Sequence, residues 1–294
     1  MIAGPTAVGK TGVAIELAKA WKSEIISADS RQFYHEMSIG TAKPDLQQLN
    51  EVKHHFVGHI SIHDYFNVSK FENEVLVLLT GLFARHNIVF MVGGSGLYID
   101  AVCRGIDDFP DPEPELRAYL KGVFVDEGVA KLQEMLSNLD PEYYSTVDIQ
   151  NPNRLLRALE VCLTTGKKFS EQRSNTSKDR NFSIVKIGLN IPRPELVTRI
   201  EARVDQMVEN GLVDEVRSLL AYRHLNALNT VGYKEIFDFL DSKITLPQAI
   251  ENIKTSTRRY AKRQMTWFKR TDDYTWFDPG HVNEITSYLT RICK

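Results

Sequence analysis

No apolar stretch of this 294-residue chain approaches the roughly 18 residues that span a membrane. Nor does a basic segment followed by an apolar core open it, as a secretory leader would. The three cysteines, Cys103, Cys162 and Cys293, are far apart and form no CxxC pair, so neither a zinc site nor a disulfide framework is indicated. We expect reduced thiols and a cytoplasmic setting. Prolines number only 11, and 43% hydrophobic with 25% charged residues is ordinary for a globular protein, which argues against an extensively disordered or fibrous chain. With 36 basic and 38 acidic side chains, the net charge of −2 does not by itself announce a nucleic-acid partner.

The distribution of charge says more. From Asn252 to Thr271 there is no Asp or Glu, whereas Lys254, Arg258, Arg259, Lys262, Arg263, Lys269 and Arg270 are all basic. A helix exposed only for solubility normally mixes signs, so this patch is read as a phosphate-binding face, with a merely solvated face as the plain alternative. Ala261, Met265 and Phe268 form a separate stripe expected to pack on the core.

Gly4 to Thr11 reads GPTAVGKT, a full match to GxxxxGK[ST]. Glycines are needed there because the loop bends sharply and brings backbone N–H groups up to phosphate oxygens; Lys10 adds positive charge, and the Thr11 hydroxyl is a ligand for Mg²⁺ or phosphate. Only Met1, Ile2 and Ala3 precede it, so the strand that feeds the loop looks trimmed. Val13 to Trp21 has helical spacing and Ser23 to Ala28 reads as a buried strand ending at Asp29. A carboxylate at that strand end can accept a proton, coordinate Mg²⁺ through water, or simply cap a turn.

Further on we expect a weak strand at His54 to Val57, a helix over Ser69 to Arg85 and a strand over Ile88 to Val92, ended by the glycine turn of VGGSGLY. Helices alternating with short apolar strands imply an α/β fold with a parallel sheet covered on both faces. The segment DDFPDPEPE, Asp107 to Glu115, breaks the rhythm. Beyond it Leu116 to Val125, Val129 to Leu136 and Arg154 to Thr164 are helical with no strand between them, and Ser170 to Asn181 is polar and read as mobile. The sheet resumes near Phe182; Pro194 opens another helix, Ala249 to Arg270 is the last long helix, and Tyr274 to Phe277 a terminal strand. This gives a core of 1–110 and 182–294 around a helical insertion, 111–181.

The pieces GPTAVGKT, SADSRQFY, GTAKP, VGGSGLY, NPNRLLRALEV, RVDQMVENGLVDEVRSL, TVGYKE and YAKRQMTWFKR, in this order and over nearly the whole chain, resemble the tRNA dimethylallyltransferase (isopentenyl-tRNA transferase) family. The resemblance implies a P-loop NTPase-like fold and Mg²⁺-dependent transfer of a dimethylallyl group from dimethylallyl diphosphate to N6 of the adenosine after the anticodon, in tRNAs reading U-initial codons, with release of pyrophosphate. It implies that Gly4, Pro5, Thr6, Ala7, Val8, Gly9, Lys10, Thr11 and Arg203 hold the diphosphate, with Thr11 on the metal, and that Asp29 is the general base.

By the same pattern Asp29, Ser30, Arg31, Gln32, Ser95 and Arg117 face the anticodon stem-loop. So do Asn153, Arg154, Leu155, Leu156 and Arg157; Asn229, Thr230, Val231, Gly232, Tyr233 and Lys234; and Lys262, Arg263, Gln264, Met265, Thr266, Trp267, Phe268 and Lys269. Two departures stand out: Ser95 replaces the usual threonine, and Lys269 replaces an arginine, keeping charge but not bidentate phosphate binding. Some relatives carry a C-terminal zinc finger; this chain ends at Lys294 without one. The residues alone leave open a small-molecule kinase, a prenyltransferase of free adenine nucleotides, or a plain RNA-binding module; a monomer is the default.

Overall fold

A computed structural model describes residues 1–174 and 176–293. Six short strands among them form one all-parallel sheet: β1 Ile2–Ala3, β2 Ile25–Ser27, β3 His54–His55, β4 Phe90–Gly93, β5 Ile187–Leu189 and β6 Thr275–Phe277, in the order β3-β2-β4-β1-β5-β6. Their side chains alternate between two cores. Ile2, Ile25, Phe90, Val92 and Ile187 turn to one face, against Ala14 and Leu17 of helix α1 (Lys10–Ala20). Ala3, Ile26 and Met91 turn to the other, against Phe71 and Val75 of a second helix.

That helix is the third in the chain: α2 is Leu46–Glu51 and α3 Val68–Phe83, which starts one residue before the expected Ser69 and ends two before the expected Arg85. The Asn67 side chain caps α3 by accepting from the Lys70 N–H. Next comes α4, Gly96–Arg104.

The chain divides into two compact units, Met1–Cys103 with Arg180–Lys294, and Arg104–Asp179. The second begins earlier than the expected 111 and ends just short of 181, and local bonding explains its end. Arg180 is the first residue back in the larger unit, where its side chain bonds the Ala101 and Val102 carbonyls and pairs with the buried Glu72 at 2.6 Å.

The smaller unit is helical. Its α5, Pro114–Leu139, is interrupted at Gly128 (φ 77°), between the two helices expected there; α6 Pro141–Thr146, α7 Pro152–Thr165 and α8 Phe169–Gln172 follow. Leu120, Leu132, Leu136, Leu155, Leu159 and Phe169 form its own core. Of the polar segment Ser170 to Asn181, read as mobile, Asn175 lies outside the described residues; on either side of it Asp140, fully buried, accepts from the Ser170 N–H and hydroxyl, and the Lys178 N–H bonds the Arg104 carbonyl. Unpaired backbone gained partners from distant carboxylates, which composition does not show.

Back in the larger unit, α9 Arg193–Glu209, α10 Leu212–Ser218, α11 Tyr233–Leu240 and α12 Leu246–Phe268 enclose a third core around Tyr233. A final helix, α13 Val282–Ile292, follows β6 and was not anticipated; Ile285 and Leu289 dock it onto the α1 face of the sheet. Among the described residues no helix is long and apolar enough to cross a membrane.

Candidate active site

Strands β2, β4 and β1 are neighbours and parallel, so the loops leaving their C-terminal ends emerge side by side. These are the loops carrying Asp29, the VGGSGLY turn and GPTAVGKT. Topology alone therefore gathers three segments separated by up to ninety positions, at the edge where open parallel sheets take ligands.

The phosphate loop runs from β1 to α1. Gly4 cannot be replaced: a Cβ there would come 2.6 Å from the Leu189 carbonyl oxygen. The amides of Gly9, Lys10 and Thr11 stand at the start of α1, where a helix has no internal acceptors to offer, and find none among the described residues. The Lys10 ammonium is turned under the loop, donating to the Gly4 carbonyl at 3.0 Å and the Pro5 carbonyl at 2.7 Å. Burial lowers its pKa to about 7, with the Asp29 charge opposing and the Arg203 charge reinforcing that shift. Arg203, on α9, is exposed yet crowded by neighbouring atoms, which lowers its basicity while Asp29 again opposes. Asp29 thus acts on both cations, which puts the three charges within reach of one another.

Asp29 also fills the modest role set against its chemical one. Its Oδ1 accepts from the Arg31 N–H at 3.0 Å, an Asx-type turn, while Oδ2 has no hydrogen-bond partner among the described residues. Ser95 braces the same turn: its Oγ accepts from the Ser30 N–H at 3.0 Å and donates to the Ser30 hydroxyl, and its own N–H reaches the Ala28 carbonyl. Tyr260 of α12 was missed by sequence reading. Burial pushes its phenol up, Asp29 adds to this, and a hydrogen bond with Ser95 works against it. Spacing held the clue, since Tyr260 lies one turn before Gln264 and two before Trp267 on one stripe of α12.

Several residues expected to meet tRNA have inward commitments. Arg31 donates to the Asn226 and Ala227 carbonyls at 3.0 Å each, and Gln32 to those of Thr41 and Ala42. Leu155, Tyr233, Gln264 and Phe268 are buried and present no side chain to a surface. The reason is helical: on α7, α11 and α12 every third or fourth residue must turn to the core. The Tyr233 hydroxyl donates to Glu215, whose carboxylate also accepts the N–H groups of Ser38, Ile39 and Gly40, so Glu215 anchors the GTAKP loop. In the smaller unit Arg117 and Arg157 both bind the buried Glu160, while Asn153 and Arg154 are exposed.

The basic run is less uniform than its sequence. Lys254 pairs with Asp205 at 2.8 Å, Arg258 with Glu201 and Arg270 with Asp100, acids supplied by α9 and α4. Arg259, Lys262, Arg263 and Lys269 remain exposed with no carboxylate partner among the described residues, and Thr266, Asn229 and Lys234 are exposed too. Met265, Trp267, Leu156, Thr230 and Val231 are half-buried, and the Trp267 N–H bonds Asp100 at 3.1 Å.

A phosphate loop feeding the first helix of a covered parallel sheet, with an acid at the neighbouring strand end, defines an α/β enzyme of the P-loop type. The family model described as IPP transferase matches residues 32–271, and the chain belongs to that family. It is 50% identical over 284 residues to tRNA dimethylallyltransferase 2 of Azobacteroides pseudotrichonymphae, covering 97% of this chain and 92% of that one. To tRNA dimethylallyltransferase 1 of Bacteroides fragilis it is 48% identical, over 100% and 98%. Among solved structures it resembles the full-length tRNA isopentenylpyrophosphate transferase of Bacillus halodurans (TM-score 0.72, 36% identity, 99% and 95% covered). It also resembles a eukaryotic dimethylallyltransferase acting on tRNA (TM-score 0.76, 27% identity, 99% and 76% covered).

Proposed function

We propose that the chain transfers the dimethylallyl group of dimethylallyl diphosphate to N6 of the adenosine beside the anticodon, in tRNAs reading codons that begin with U, and releases pyrophosphate. The carrying observation is the convergence of Asp29 with Lys10 and Arg203 at the mouth of the phosphate loop. Adenine N6 is a poor nucleophile because its lone pair is delocalised into the ring, so a base must take its proton as the C–N bond forms. The open oxygen of Asp29, held by its turn, supports giving that task to it. On the other side of the allylic carbon, the free amides at the start of α1, Lys10 and Arg203 oppose the charge that gathers on the departing diphosphate.

The Thr11 hydroxyl, in the first turn of α1 beside those amides, is a hard oxygen donor suited to Mg²⁺. Bound there with the diphosphate, the ion would neutralise leaving-group charge.

A flipped-out adenine has to leave an anticodon loop held by its phosphates, and the unpaired Arg259, Lys262, Arg263 and Lys269 suit that grip. This favours tRNA over free nucleotides as acceptor. Our reading includes a cytoplasmic setting and a monomer as the working unit. Incubation with labelled dimethylallyl diphosphate and Mg²⁺ tests it, offering unmodified tRNA, AMP or ATP. Label is expected in tRNA alone; label in AMP, or phosphoryl transfer from ATP without use of the allylic donor, overturns the proposal.

A further inference from the structure

Gln264, expected to meet tRNA, faces the phosphate loop instead. It projects from α12 with 5% of its surface exposed and uses both ends of its amide internally. Its Oε1 accepts from the Thr6 N–H at 2.8 Å, and its Nε2 donates to the Gly94 carbonyl at 2.9 Å. The partners fix which end is oxygen, because Thr6 presents only a donor there and Gly94 only an acceptor. A Cβ on Gly94 would lie 2.1 Å from Nε2, so only glycine lets the amide in.

Thr6 is the third residue of the loop, and the fourth, Ala7, has φ 64°, a conformation that residues other than glycine seldom adopt. The bond to Thr6 N–H therefore holds the backbone immediately before its least comfortable turn. Val8, Gly9 and Lys10 follow, and their orientation depends on that turn. Among the described residues nothing else on α12 hydrogen-bonds the loop's backbone.

We propose that Gln264 is a positioning residue for diphosphate binding: by tying Thr6 to the Gly94 turn it holds the loop's amides in place, touching neither donor nor tRNA. The proposal rests on the reading that this loop receives a diphosphate.

Two variants test it. Gln264→Met keeps the length and removes both hydrogen bonds. Gln264→Glu keeps an acceptor for Thr6, but its carboxylate opposes the Gly94 carbonyl until a proton restores a donor. Titration calorimetry with Mg²⁺ and inorganic pyrophosphate, the KM for the allylic donor, and the Kd of an anticodon stem-loop are measured for each. The Met variant is expected to weaken pyrophosphate binding and raise the donor KM about tenfold, the worth of one such hydrogen bond, with the stem-loop Kd within about twofold of the parent's. The Glu variant is expected to approach the parent, compared at equal pH, as pH falls. If pyrophosphate binding is unchanged in both, or if only the stem-loop Kd rises, the proposal is overturned. Should the Met variant not fold, the Glu variant decides alone, a deficit independent of pH counting against the proposal. A parent enzyme that ignores pyrophosphate refutes the diphosphate reading itself, a separate and recognisable failure.

Discussion

Lys10 is held at a pKa of about 7, against an ordinary value of 10.5, because it is folded under its own loop. A diphosphate beside it favours the charged form and so draws the pKa back toward ordinary. Binding must then take up a proton wherever the free enzyme has lost it. At pH 8 only about a tenth of free Lys10 is protonated, so uptake approaches roughly 0.9 proton, and affinity falls about tenfold for each pH unit above 7. Calorimetry with Mg²⁺ and pyrophosphate at pH 8, in buffers of different ionisation enthalpy, counts those protons. Comparison with Lys10→Met subtracts protons belonging to pyrophosphate itself. Equal uptake by parent and variant would refute the reasoning. The stability corollary has a definite sign. A base whose folded pKa is depressed destabilises the fold below about pH 7, and that cost fades as pH rises toward 10.5, so Lys10→Met should melt higher than the parent at neutral pH.

Asp29→Ala should lower the rate of transfer by roughly 10²–10⁴ while tRNA affinity stays nearly intact, and unreduced turnover would remove Asp29 from its role. Lys262→Glu with Arg263→Glu should weaken tRNA binding and make its log–log salt slope shallower by about 1.4–1.8, since two phosphate contacts are lost; filter binding across salt concentrations reads this, and equal slopes count against the patch. At the opposite end of the sheet from the site, burial opposes the charge on Glu24, but hydrogen bonds from His55 and His86 with the charges of Lys53 and Arg85 prevail and hold its pKa at about 2. The stability it lends is complete above about pH 4.5 and lost as pH falls toward 2. Urea midpoints should show that acid-side decline in the parent and a smaller one in Glu24→Gln.

What could be read beforehand follows from the range of each interaction. The phosphate loop, Asp29, the alternation of helix with apolar strand and the break at DDFPDPEPE are local patterns, legible in a single pass. Arg203 came only through family resemblance. Commitments across the fold were not legible: the acids that neutralise Lys254, Arg258 and Arg270 lie on other helices, and the acid-free run hid them. Gln264 and Tyr260 were concealed by their neighbours, since a strongly basic sequence directs attention to the outward face of α12 and away from the inward one. Helix α13 was passed over because it is short and follows what looked like a final strand. The bonds of Ser170 were hidden for a related reason, since buried Asp140 accepts its N–H and hydroxyl from thirty positions away, which composition does not announce.

The Arg180 clasp has an architectural consequence. Because this side chain grips the carbonyls of Ala101 and Val102, the point where the chain departs for its helical excursion and the point where it comes back are stitched together. The excursion hangs from a closed stem, so the sheet need not register how long it is. Excising residues 104–179 and bridging Cys103 to Arg180 with a short glycine linker should leave a core that still melts cooperatively, because the stitch from Arg180 to Ala101 and Val102 lies wholly within that core.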